Sequence, residues 1–353
     1  MNICKNLKFL RLMRICGRNM SDLSHPPNIA PAPQAGRRSF ILEQLKDREL
    51  IRVHGTEVVP FLQGLITNDV TRLQHPEGPS SIYGLFLNKG GRVLYDTIIY
   101  RTNNPDTYLL ECDRDASSEF RRNLRMFRVR KQIDIDSVDD EYSPWVIFTE
   151  NEGYNELLHA THNLPELFVA SDPRLPSLGT RVLAPTDMEW AKLVKGFWQN
   201  NEVVATPATA NKNYQLLRYK LGVGEGVQEL PPGKCFPLEA NADFLNGVSF
   251  NKGCYIGQEL TARIHHSGVI RKRYMPIRLT APIGSNHTVQ SVAGANLGRV
   301  FGHAQNRGVA LLRIEQVLNG QQELTVDGDR CFAERPEWWP SDVPSKRRVA
   351  SSE

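Results

Sequence analysis

Between Asn251 and Arg273 the chain reads NKGCYIGQELTARIHHSGVIRKR, and few ways of folding that stretch are open. Glu259 stands four residues before Arg263, the favourable order for a helical ion pair, and Leu260 and Ile264 share the same spacing. The pattern predicts a short amphipathic helix over Leu260 to His266, stopped at Gly268. Cys254, between Gly253 and Tyr255, then falls on the loop leading in or in the first turn. A thiol there meets the positive end of the helix dipole, with Lys252 and Arg263 as basic neighbours, and should ionise more readily. On spacing alone the opposite reading is equally open, because free cysteine is commonly buried in a packed turn.

Lys252-Gly253-Cys254-Tyr255-Ile256-Gly257-Gln258-Glu259 resembles the K-G-C-Y-x-G-Q-E signature of the YgfZ/GcvT-like family, relatives of the folate-binding T-protein of glycine cleavage. Phe61 to Asp69 resembles the family's F-L-Q-G-x-x-T-N-D run. The resemblance covers nearly all of residues 39 to 335. It implies an α+β, three-lobed fold around a central channel, closed by a small C-terminal β-barrel. It also implies a cofactor region built from Lys252, Tyr255, Gln258, Glu259 and Arg263, with Cys254 as a metal ligand. Asn68, Asp69 and Asp96 would border a folate-type channel, although Asn and Asp at 68 and 69 are equally ordinary turn residues.

The chain departs from T-protein relatives at two acids. Where they carry adjacent aspartates on the second strand of a hairpin, this chain has Tyr95-Asp96. Where they commonly show R-x-E-x-G near folate, it has Arg218-Tyr219-Lys220-Leu221-Gly222. A phenol cannot replace a carboxylate beside a developing cation at neutral pH. Both departures oppose aminomethyl transfer and tetrahydrofolate binding. The resemblance is therefore to the mitochondrial iron–sulfur cluster assembly factors of the Iba/CAF type. That branch implies late maturation of [4Fe–4S] proteins, A-type iron–sulfur scaffold proteins as partners, and a [2Fe–2S] cluster shared through Cys254. The rival is a folate-dependent one-carbon transferase using Asp96, and an enzyme is the less favoured of the two.

Residues 1 to 20 carry Lys5, Lys8, Arg11, Arg14 and Arg18 and no acid, with Ile3, Leu7 and Leu10 on another helical face. A proline-rich linker with Pro26, Pro27, Pro31 and Pro33 follows. This is the pattern of a transit peptide to the mitochondrial matrix; a basic helix lying on a membrane surface is the alternative. Seven basic residues and one acid in positions 1–38 leave 39–353 at −2 out of a whole-chain charge of +4. The basic balance thus belongs to the leader, and the body offers no general electrostatic case for nucleic acid. No apolar run reaches membrane-spanning length.

Six cysteines without a CxxC pair indicate neither a disulfide framework nor a zinc site. Cys235, close to Pro231-Pro232-Gly233, is open as a second cluster ligand. His159 and His162 are three apart but read as surface residues. Asn88 to Gly91 predicts a hairpin, and Asp115 to Lys131 a helix with Phe120, Leu124 and Phe127 on one side and arginines around the other. Asp327-Gly328 predicts a second hairpin. The domains expected are a leader and linker over 1–38, interleaved α+β domains over 39–273, a barrel over 274–335 and a polar tail over 336–353. Deleting residues 1–20 should leave a folded protein in the cytosol, as fractionation of cells expressing it would show. Continued mitochondrial import of that truncation would contradict the transit reading.

Overall fold

The computed structural model describes residues 38–149, 164–197, 203–207, 213–318 and 323–341. The leader, His159 and His162, and the chain beyond residue 341 lie outside the described residues.

Strands β1 (Arg38–Gln44) and β2 (Arg48–His54) are separated by one short turn, yet they enter different sheets. β2 joins β3 (Ser81–Leu87), β4 (Val93–Arg101), β5 (Thr107–Asp113) and β6 (Asp134–Ser137) in an antiparallel sheet ordered β3-β4-β5-β2-β6. β1 joins β7 (Tyr142–Phe148), β8 (Phe168–Ser171), β9 (Thr180–Pro185) and β10 (Val203–Pro207) in the order β10-β1-β7-β9-β8, with β1 and β10 parallel. The two sheets are therefore interleaved along the chain.

Strand alternation gives each sheet two apolar faces. On the outer face of the first, Ile51, Val53, Phe86, Tyr95 and Leu110 pack against helices α1 (Val58–Gln63) and α2 (Ser117–Arg128), through Phe61, Leu62, Phe120 and Leu124. On the outer face of the second, Trp145, Ile147 and Val182 pack with α3 (Trp190–Phe197). The inner faces, including Leu50, Tyr83, Leu85, Val146, Phe148 and Leu183, share one core with helix α4 (Asn213–Leu221), which is followed by α5 (Gly226–Glu229).

After α6 (Gln258–Ser267) come β11 (Lys272–Leu279), β12 (Thr288–Ser291), β13 (Asn296–Ala304), β14 (Arg307–Arg313), α7 (Ile314–Leu318), β15 (Leu324–Val326) and β16 (Asp329–Ala333). These strands close into a barrel in the order β11-β14-β13-β12-β15-β16. Met275, Ile277, Val300 and Leu312 fill it, while Tyr274 points to the shared core. Asp327 and Gly328 make the expected turn, both at positive φ (52° and 89°). The turn before β14 falls at Gln305-Asn306, with Gln305 at positive φ (53°). The tail does not begin at 336: Trp339 is buried against the barrel core, and the Trp338 indole donates to the Leu221 carbonyl at 2.8 Å.

Where the sheets meet α4 and α5, the core is ionic. Arg181, on β9, donates to Glu111 Oε1 on β5 (2.8 Å), to Asp172 Oδ2 (3.1 Å), and to Glu225 Oε2 (2.9 Å) and the Tyr214 hydroxyl (2.9 Å). Arg174 grips both oxygens of Asp172 at 2.9 and 2.7 Å and lies 2.7 Å from Glu225. Arg48 of β2 pairs with Glu111 at 3.1 Å and Asp96 at 3.3 Å, and Arg218 of α4 pairs with Glu229 of α5. The Tyr274 hydroxyl, from the barrel, donates to the Glu229 carbonyl at 2.7 Å. One buried network therefore ties both sheets, two helices and the barrel.

Burial alone would raise the Asp172 and Glu225 carboxyls, but Arg174 and Arg181 hold both below the usual range. The unfolded chain takes up these protons at the ordinary values, before the folded chain does. Their stabilisation is thus complete above those values and is lost as pH falls through the depressed ones. Unfolding in urea should show a midpoint that drops steeply below about pH 4. Replacing Arg181 with Met leaves Glu111, Asp172 and Glu225 short of a partner and should cost about 3–5 kcal/mol. A loss under about 1 kcal/mol, the value of a surface pair, would mean that the junction does not hold the sheets together.

Candidate functional site

The octapeptide is a loop that enters α6, and nearly every residue in it has a structural task. Lys252 Nζ donates to the carbonyls of Gln63 (2.8 Å), Ile66 (2.7 Å) and Asn68 (2.8 Å), just where α1 ends. Its ammonium also lies 4.9 Å from the Tyr255 ring centre. Ile256 N–H donates to the Gly64 carbonyl at 3.1 Å, and its side chain packs into the core under α2. Gly257, the N-cap of α6, sits at φ +80°. A Cβ there would come within 2.4 Å of the Asn88 carbonyl oxygen, so the β3–β4 hairpin can press on the loop only through a glycine. The Gln258 side chain turns back to accept the Tyr255 N–H at 3.0 Å, and Glu259 pairs with Arg263 across one exposed helical turn.

Gly253 and Cys254 are different. Nothing lies within 4 Å of where a Gly253 side chain would start, and Cys254 is exposed. The packed-turn reading of this cysteine is thus replaced by a presented thiol. α6 begins after Gly257, so Cys254 is on the lead-in loop and not in the first turn; Lys252 is engaged by the α1 turn. The other cysteines among the described residues are buried. Burial pushes the Cys235 thiol up to about 12 and Cys331 up to about 11, and raises Cys112 further still. Cys235, buried in the shared core, is therefore no second ligand.

The residues expected along a folate channel are held by the chain itself. Asn68 Nδ2 donates to the Tyr83 and Asn246 carbonyls, both at 2.7 Å, and its oxygen accepts the Asp69 N–H at 2.8 Å. Asp69 Oδ1 caps the following turn through Thr71 N and is gripped by Gln63 Nε2 at 2.9 Å, so turn chemistry accounts for the pair. Asp96 accepts the Gly226 N–H at 2.9 Å and pairs with Arg48. Asn68 and Asp96 are buried: Asn68 has both ends of its amide hydrogen-bonded, while Asp96 has Oδ1 on the Gly226 N–H and Oδ2 only at ion-pair distance from Arg48, with no hydrogen bond.

Two expectations about lost acids are corrected. Tyr95 points to the outer face, where its ring stacks on Phe120 at 4.6 Å; alternation gives the inner face to Asp96. Position 95 therefore takes no part in the centre. Lys220 is exposed, so it cannot oppose a charge there; the buried charge on α4 is Arg218, with Glu225 and Glu229 supplying the acids. In the sequence the ionic junction shows only as isolated charges inside apolar strands, Glu111 in TYLLECD and Arg181 in TRVLAP.

Comparison with known proteins agrees with this geometry. Residues 271–341 match the model of the CAF17 C-terminal β-barrel domain. The mitochondrial iron–sulfur cluster assembly factor IBA57 of Homo sapiens is 34% identical over 330 residues, covering 88% of each chain. That of Mus musculus is 35% identical over 323 residues, covering 84% of this chain and 85% of its own. In fold, the chain resembles the crystal structure of the glycine cleavage system aminomethyltransferase T from Bartonella henselae, with a TM-score of 0.65 at 14% identity, covering 86% and 87% of the two chains.

Burial pushes the Lys252 ammonium down to about 8, with Asp69 opposing the shift. Its folded value lies below the ordinary 10.5, so between about 8 and 10.5 the unfolded chain holds the proton and the folded chain has released it. The contribution of this group to global stability therefore rises with pH across that window. The neutral amine has too few N–H groups for three carbonyls, however, so the loop should loosen locally. Above about pH 8 the Ile256 amide should exchange faster than base catalysis explains, with no such step in Lys252→Met. That variant should itself cost about 1–3 kcal/mol for the carbonyls left without a donor. An unchanged exchange profile would contradict the anchoring role.

Proposed function

The chain belongs to the IBA57 family of mitochondrial iron–sulfur cluster assembly factors, and on that premise we propose that it presents Cys254 as one ligand to a cluster held jointly with a partner. The cluster is cargo. An iron–sulfur cluster takes about four protein ligands, mostly thiolates. Among the described residues no three His, Cys, Asp or Glu side chains converge on one point. The remaining ligands would come from an A-type scaffold protein, with a [2Fe–2S] cluster shared between the two and late maturation of [4Fe–4S] proteins in the mitochondrial matrix as the outcome.

The observation that carries this reading is the contrast within the octapeptide. Lys252, Ile256, Gly257 and Gln258 fix the loop, while Gly253 leaves open space and Cys254 faces solvent. A bare backbone next to an exposed thiol lets a second protein approach the sulfur closely. One-carbon transfer would instead need a carboxylate open to substrate, and Asp96 is buried against Arg48.

Cys254→Ser tests the proposal. Because the side chain is exposed, the variant should keep its circular dichroism and its melting temperature. Mixed anaerobically with a cluster-loaded A-type scaffold, it should fail to develop the visible absorption of the shared cluster, and it should not rescue [4Fe–4S] enzymes in depleted cells. Cys235→Ala should lose stability, because it vacates the shared core, and retain cluster sharing. A well-folded Cys254→Ser that rescues fully would defeat the ligand role.

A further inference from the structure

We propose that the C-terminal end of α2 is a docking surface for an acidic protein partner. The inference rests on the reading above in one respect: the partner it commits to is the cluster-carrying scaffold that reaches Cys254.

Residues 121–131 read RRNLRMFRVRK, six basic side chains with no acid. Leu124 is buried and Phe127 half-buried on the inward side, while Arg122, Arg125 and Arg130 are exposed. Met126 and Val129 stand among them at 64% and 78% exposure, although both are large apolar residues. Residues 39–353 carry −2, so this segment is +6 on a body whose remainder is −8. Glu119, Asp134 and Glu57 pair with Arg122, Arg128 and Lys131, so the patch with these three acids still carries +3. An acidic surface is drawn to this patch and repelled by the rest, which fixes where it lands.

Backbone strain singles out the same place. Val129 ends α2 at φ 52° and ψ −105°. Glycine adopts positive φ without steric cost, and a β-branched residue there is an outlier. Strain kept at an exposed position, where nothing inside the fold calls for the side chain, points to contact with something outside.

Position joins the patch to Cys254. Just past α2, Lys131 pairs with Glu57 at 3.3 Å and Gln132 N–H donates to Glu57 at 2.8 Å, at the residue that precedes α1. The other end of α1 receives Lys252 and Ile256 of the signature loop. α1 has six residues and is therefore about 9 Å long. A standard interface covers about 800 Å² per partner, roughly 30 Å across, and spans both ends of it. Exposed Met beside Arg is the composition of protein interface cores. The patch has no exposed aromatic for base stacking, and two apolar side chains are few for holding a bilayer surface.

The test uses the full chain and three α2 variants: Arg122→Glu with Arg130→Glu, Met126→Asp, and Val129→Gly. Binding of the cluster-loaded A-type scaffold is titrated at low and high salt, with phosphatidylserine vesicles titrated alongside. Wild-type affinity should fall with salt. The double charge reversal should weaken binding at least tenfold, and Met126→Asp at least fivefold. Val129→Gly should bind at least threefold more weakly while melting at a higher temperature, a combination that a merely structural role would not give. Cys254→Ser should still dock but take up no cluster. If the α2 variants bind the scaffold as wild type does while cluster uptake through Cys254 persists, the docking inference falls and the ligand reading stands. If the wild-type chain neither binds the scaffold nor gains a cluster, both fall. If the variants lose only vesicle binding, the patch belongs to a membrane and the inference is overturned.

Discussion

A fully buried arginine, Arg181, sits where the two sheets meet, and the architecture depends on how its charge is met. Taking a guanidinium out of water costs several kcal/mol unless geometry and partners compensate. Here the partners come from three places at once: Glu111 from the first sheet, Asp172 beside the second, and Tyr214 and Glu225 from α4 and the start of α5. No lobe can satisfy the charge alone. Apolar packing drives the collapse, while the network selects one arrangement of the sheets, because any slip leaves a buried charge unmatched. The same network engages Asp96, the carboxylate a transferase reading would use.

The signature loop sits at the edge of that frame. It touches α1 through Lys252 and Ile256, the β3–β4 hairpin through Gly257, and the core under α2 through Ile256. Each contact removes freedom from the loop backbone, and none engages the thiol. A site that shares its ligand with another protein needs this combination. Holding the loop in one shape lowers the ordering cost of binding; on the ligand role proposed for Cys254, the uncovered sulfur would leave the last coordination step to the partner. The surface end of α2 is held by the other end of the same short helix, so the fold presents a charged patch and a thiol on a common support.

Much of this was legible in the residues. The octapeptide fixed the family likeness, and its helical spacing placed α6 to within two residues at its start. Asn88 to Gly91 and Asp327-Gly328 gave both hairpins, because glycine at positive φ leaves few alternatives. Roles were harder to read than elements. Asn68 and Lys252 look like ligand-binding residues in one dimension, but their partners, Asn246 and the α1 turn, are more than 170 residues away in the chain. Alignment makes Tyr95 a lost catalytic acid because it does not say which way a strand side chain points. Arg181, Glu111 and Glu225 went unread for a related reason: a single charge in an apolar strand acquires meaning only when its counter-charges are brought to it by folding.

The central claim is that the loop exists to expose one thiol to a partner, and thiol alkylation followed by mass spectrometry tests it most directly. In the free native chain, Cys254 should be labelled rapidly while Cys112, Cys235 and Cys331 stay protected. In the anaerobic cluster-bearing complex, Cys254 should become protected as well, and chelation of the iron should restore its labelling. Labelling of Cys254 at an unchanged rate in a complex that demonstrably carries the cluster would contradict the account.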